Sequence, residues 1–440
     1  MIWTMDLKHT LCLLLCTTSL TISGVHGNND NNKAYFWTEQ NLPILLESNT
    51  ASLISPSFSK QKRDGESGDF CGIECQSNLP PLDQPQQERL LGYETLHENG
   101  TCTHTYITLL DFNQSSVTDN TQGGHARRKR HVYGADGRFV ISDSHFITNY
   151  PFSTAVRLST GCSGILVSPK HVLTAAHCIH NGRDYLEDAK KLKVGVLQLK
   201  TKRRRGHKRR GKRGGNYQIV MEIDGRKTGK GKRGSSQQDN RRKEEAKRIR
   251  RSLSVISKKR PVFRWTRVKE TKLPQGWIYK ASLNNSLSSD YNYALLELKR
   301  PVKQKYMDLG VMPDDTSMGR IHFSSFDADK SHLDIRGKEK VVYRFCSVAK
   351  ESSDLIYQHC DAQTGATGAG VYVCLRREAG KKGGKGKWQR RVIGVYLGHQ
   401  WVRVGNGELR EYNVAVRITP AKYAQICHWI YGDPKLCKKI

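Results

Sequence analysis

The chain has 440 residues, 37% of them hydrophobic, and a formal net charge of +32 from 73 Lys and Arg against 41 Asp and Glu. It is long for one ordinary domain, and that apolar fraction builds a sizeable core only if long stretches lie outside it. The charge is local: Lys200 to Arg260 holds 25 basic and 5 acidic residues, a net +20 of the +32, so the excess bears on the partners of one segment more than on the fold.

The first residues carry a lone Lys8, an apolar run from Leu11 to Ile22 and small residues near Val25-His26-Gly27. Residues 1–27 are therefore expected to be a signal peptide, too short to span a membrane, and no later stretch reaches spanning length. Residues 28–130 are polar, with Pro80, Pro81 and Pro85 clustered and little periodicity, and they end in Arg127-Arg128-Lys129-Arg130. They are expected to form a loop-rich propeptide bounded by a furin-type processing site. Sequons at Asn99, Asn113 and Asn284 fit a secreted, extracellular glycoprotein.

Removing the leader takes Cys12 and Cys16 away and leaves ten cysteines, an even number that reads as disulfides in an oxidising compartment. Cys71, Cys75 and Cys102 precede Arg130 and the other seven follow it. If all ten pair, at least one bridge crosses the cleavage site, and Cys102 with Cys374 is the expected tether.

From residue 131 to 440, setting the basic segment aside, about 250 residues remain, the size of a single all-β barrel domain. Short β-rich runs recur there at Ser153 to Leu158, Gly164 to Val167, Ala294 to Leu298, Val341 to Phe345, Gly370 to Cys374, Val392 to Leu397 and Asn413 to Ile418. Many short strands separated by turns favour a barrel. Tyr423, Ile426, Cys427 and Ile430 stand at helical spacing, so Pro420 to Tyr431 is predicted as a terminal helix closed by Gly432 and Pro434. The segment 199–260, with glycines among its charges, cannot bury enough apolar surface to fold alone and is expected to be a disordered basic surface insertion. It holds a second furin-like sequence, Arg248-Ile249-Arg250-Arg251.

Three motifs carry chemistry. Gly161-Cys162-Ser163-Gly164-Ile165-Leu166-Val167 followed by Val172-Leu173-Thr174-Ala175-Ala176-His177-Cys178 closely resembles the histidine region of the trypsin and chymotrypsin family. The resemblance implies a double six-stranded β-barrel, His177 as general base and a Cys162–Cys178 disulfide pinning its turn. It extends over roughly 139–198 and 261–440. Asn149 to Thr154, Gly398 to Trp401 and Tyr412 to Pro420 further resemble a subgroup of secreted trypsin-like proteins.

The second motif runs from Asp290 to Leu298, and Asn292 stands where the family's aspartate precedes an Ala-Leu-Leu strand. Asparagine brings no charge to an imidazolium and favours the wrong tautomer, a change that costs about 10⁴ in turnover in a serine protease. Asp290 lies two residues away, roughly 6.5 Å along an extended chain, too far to replace it without backbone movement.

The third motif, Asp361 to Tyr372, reads Gly365-Ala366-Thr367-Gly368-Ala369-Gly370 where the family writes Gly-Asp-Ser-Gly-Gly-Pro. Thr367 takes the serine's place, with a methyl that crowds the turn and restricts its rotamer. Removing a triad serine outright costs about 10⁶, of which threonine recovers only part. Gly365 and Thr367 are expected to keep backbone amides for an oxyanion. Ala366 replaces the carboxylate that pairs with the new N-terminus on activation, and His131-Val132-Tyr133-Gly134 is not the family's usual start. Asp361 falls where trypsin-like enzymes select basic side chains, and Gln363 where many relatives have a cysteine.

The resemblance thus implies a secreted protease homologue that has lost catalysis and acts by binding; the alternative is a slow or conditional endopeptidase using Thr367 and His177. The basic insertion at 200–260 is expected to take heparan sulfate or another polyanion, and with Tyr217 as its only aromatic residue it makes a poor nucleic-acid platform. No metal-ligand cluster and no cofactor motif stands out.

Overall fold

The computed structural model describes residues 36–53, 56–60, 82–112, 137–141, 143–200, 260–278, 289–312, 319–328, 340–377, 387–404 and 408–440. The leader, the Arg127–Arg130 site, Asn113, Asn284, Cys71, Cys75 and residues 201–259 lie outside them.

We label the principal strands β1 (Ile44–Leu53), β2 (Tyr93–His97), β3 (Cys102–Leu110), β4 (Ala155–Leu158), β5 (Ser163–Leu166), β6 (His171–Thr174), β7 (Lys193–Lys200), β8 (Arg260–Pro274) and β9 (Ala294–Leu298). They continue as β10 (Arg320–Ser325), β11 (Val341–Glu351), β12 (Leu355–Gln358), β13 (Gly370–Arg377), β14 (Trp388–Val404) and β15 (Glu408–Arg417). The order β7-β4-β5-β6-β9-β8 closes back on β7, and β13-β10-β11-β12-β15-β14 closes back on β13, giving two six-stranded antiparallel barrels as the motifs implied. Closure removes free sheet edges, and both barrels fill with the alternate inward residues of their strands. Phe36–Trp37 pairs with Arg376–Arg377 in a small separate unit, where the Trp37 indole N–H donates to the Gln389 carbonyl at 3.2 Å.

The predicted terminal helix, α2 (Pro420–Tyr431), is present with the expected bounds. Thr419 caps it by accepting from the Lys422 amide, Pro420 occupies the first turn where no N–H is needed, and Gly432 ends it at φ 69° in the left-handed region. The basic insertion joins the ends of a hairpin: β7 and β8 pair from Lys193↔Arg267 out to Lys200↔Arg260, so its two ends leave the barrel side by side.

The N-terminal region corrects the loop-rich expectation. Helix α1 (Gln84–Leu91), N-capped by Asp83 accepting from Gln86 N at 2.8 Å, precedes β2 and β3. Strands β2, β3 and β1 extend the first barrel's sheet in the order β8-β2-β3-β1, with Pro274↔Tyr93 through Glu270↔His97 in register. Leu45, Leu91, Tyr93, Ile107 and Leu109 are buried in the same core as the barrel strands. Each such side chain contributes about 1.5–3 kcal/mol on burial, which is why weakly periodic sequence still folds here.

The disulfide expectation is also corrected in part. Cys162–Cys178 forms as implied, alongside Cys346–Cys360 and Cys427–Cys437. Cys102 and Cys374 are both free thiols, so the predicted tether is absent. Cys102 is buried against the Tyr185 hydroxyl, 3.8 Å away, and faces the Glu94 carboxylate at 3.7 Å, on the inner face of the N-terminal sheet.

Candidate functional site

His177 sits in the short 3-10 turn Ala176–Cys178 that follows β6, and the bridge from Cys178 to Cys162 ties the turn to the start of β5. Asn292, 5% exposed, precedes β9, which pairs with β6 from Ala294↔Thr174 to Glu297↔His171. That register brings the two side chains together. Asn292 Oδ1 accepts from the His177 backbone N–H at 3.1 Å, which fixes which way the amide points, since its NH₂ cannot accept. The amide NH₂ then lies 2.8 Å from the ring Nδ1, nearer than Oδ1 at 3.1 Å. An NH₂ group only donates, so Nδ1 must accept and the ring proton sits on Nε2. Burial pushes the His177 pKa below its usual value of 6.5, with the Asn292 hydrogen bond opposing, so the ring stays neutral near pH 7. A neutral imidazole with its proton on Nε2 presents a donor where a general base needs a lone pair.

The Gly365–Gly370 turn packs against this region. Ser163 N donates to the Thr367 carbonyl at 2.8 Å and the Ser163 hydroxyl to the Gly365 carbonyl at 2.7 Å. A Cβ on Gly368, at φ +85°, would lie 2.3 Å from both Ser163 O and Thr174 Oγ1, so glycine is required for the turn to approach β5 and β6 so closely. Ala366 is fully buried. Among the described residues, the Gly365 and Thr367 amides donate to no protein acceptor, and no hydrogen bond joins the Thr367 hydroxyl to His177.

Asp361 is committed elsewhere: its carboxylate accepts from the Gly137 amide at 2.7 Å, and its carbonyl accepts from Arg344 Nε. Arg344, with a side chain 1% exposed, also donates to Ser325 Oγ at 2.7 Å and pairs with Asp327, whose carboxylate is fully buried and which Arg138 approaches at 3.4 Å. Ala328 N donates to the Thr364 carbonyl at 2.6 Å, so the Arg344–Asp327 pair and its loop hold the Thr367 turn from behind. Sequence reasoning missed this pair. The only available signal was an inverted alternation in β11, where Phe345 is exposed and Arg344 turns inward.

The trypsin family model matches residues 140–228. Inactive serine protease 35 of Mus musculus is 46% identical over 92% of this chain and 93% of its own length, and that of Homo sapiens is 47% identical over the same shares. Serine protease 23 of Rattus norvegicus is 41% identical over 92% of both chains. The structure of a Glu endopeptidase overlaps 67% of this chain and 97% of its own, at 16% identity and a TM-score of 0.40. On the strength of the curated relatives, the chain belongs to the trypsin family of serine proteases and their inactive homologues.

Proposed function

We propose that this protein is a secreted trypsin homologue that binds and does not cleave, with Thr367, Asn292 and Ala366 as the positions where catalysis was lost. The Asn292 amide carries the reading: its NH₂ directed at Nδ1 leaves His177 without the lone pair that would take a proton from Thr367. The group fails as a base before the weakness of threonine as a nucleophile is considered. The relatives named inactive support the same conclusion. The Gly365 and Thr367 amides, unspent within the protein, leave a donor-lined site suited to a carbonyl or carboxylate.

Secretion and surface retention complete the proposal. Asn99 is exposed in the turn between β2 and β3, and its Oδ1 accepts from the Thr101 hydroxyl at 2.7 Å, a conformation open to glycosylation. The basic insertion, leaving the barrel at one point, supplies a polyanion-binding arm for heparan sulfate. The test of inactivity is a fluorophosphonate probe applied to the full chain and to protein cleaved after Arg130. No labelling is expected in either. Labelling that Thr367→Ala abolishes would establish the alternative, a slow endopeptidase.

A further inference from the structure

We propose that residues 39–112 are a permanent second chain of the cleaved protein, held without any covalent link, and that they brace the turn carrying Asn292. A propeptide that leaves on processing should meet its domain across a separable surface. This one is interleaved with it. Strand β2 pairs with β8 over five residues, and the N-terminal segment meets the far end of the chain as well: Leu42 N donates to the Lys438 carbonyl at 2.9 Å, and Asn41 bridges Lys439. Leu42, Leu45, Leu90, Leu91 and Tyr93 are each at most 4% exposed and share one core with barrel residues such as Leu273, Tyr293 and Trp429. Separation would strip that core and uncover the β8 edge at once.

The contacts also reach the site. Gln425 of α2 donates through Nε2 to the Leu91 carbonyl at the end of α1 and accepts from the Tyr293 hydroxyl at 2.6 Å. Tyr293 is the neighbour of Asn292. The Gln87 side chain reaches the Tyr291 hydroxyl at 3.4 Å on the other side, and Gln275 N donates to the Gly92 carbonyl. One buried amide therefore links the N-terminal segment to the turn that directs Asn292 at His177, and a network of this kind holds geometry only while each member is satisfied. No bridge performs the task, because Cys102 and Cys374 are free thiols.

The experiment replaces Arg127–Arg130 with the recognition sequence of a site-specific protease, cuts the folded protein and runs gel filtration at neutral pH with a thiol reductant. Both pieces are expected to co-elute at the mass of the uncut protein. An N-terminal piece that elutes alone, or a C-terminal piece that precipitates, overturns the proposal. Urea titration of the cut protein tests the brace: release of the piece and loss of the native His177 imidazole resonances are expected at the same urea concentration. Release at lower urea with those resonances intact overturns the positioning role. Neither readout depends on whether Thr367 reacts, so this proposal and the inactivity reading fail separately.

Discussion

Two residues separate this site from that of a working protease in physically different ways. Thr367 is a weak nucleophile, whereas Asn292 changes the base itself by holding the His177 proton on the wrong nitrogen. The sequence motifs located both positions and their meaning, because the glycines and alanines around them are required by close packing of the turn. The Arg344–Asp327 pair was not legible, since its partners are 17 residues apart and an arginine in a strand ordinarily faces water. Breaking one partner of a buried pair costs about 3–5 kcal/mol, so Arg344→Met is expected to lower the urea unfolding midpoint strongly, and Arg344→Met with Asp327→Leu to recover much of the loss. A double variant as unstable as the single one would show that the pair does not act as a unit.

At the scale of elements, α2 docks on the N-terminal sheet through a titratable contact. His428 Nε2 lies 3.0 Å from Glu47 Oε1, and Tyr93 donates to the same carboxylate. The His428 bond, more than Tyr93 or Lys272, holds the Glu47 pKa down from 4.5 to about 2, against the opposing effect of burial. A carboxylate depressed in the folded state contributes stability above its unfolded pKa and loses it as pH falls toward the folded value. Stability should therefore decline between about pH 4.5 and 2, and Glu47→Gln should flatten that part of the profile, as followed by thermal unfolding. An unchanged slope would place the acid sensitivity elsewhere. The helix itself was readable because capping and spacing are local. The N-terminal strands were not, because their stability comes from pairing with β8, far away in the chain.

At the scale of the whole molecule, two barrels and an N-terminal sheet form a scaffold that keeps a protease's architecture while its site presents hydrogen-bond donors. The positive charge is confined to an arm between β7 and β8, where composition alone marked it. Replacing residues 201–259 with a short turn should leave the fold intact and abolish salt-sensitive retention on heparin; unchanged retention would assign binding to another surface. The central claim, that the site donates where a protease must accept, is tested most directly by the imidazole nitrogen resonances of His177 in the folded protein near pH 7. A bare Nδ1 beside a protonated Nε2 is predicted, with the proton moving to Nδ1 in Asn292→Asp; a proton on Nδ1 in the natural sequence would contradict the account.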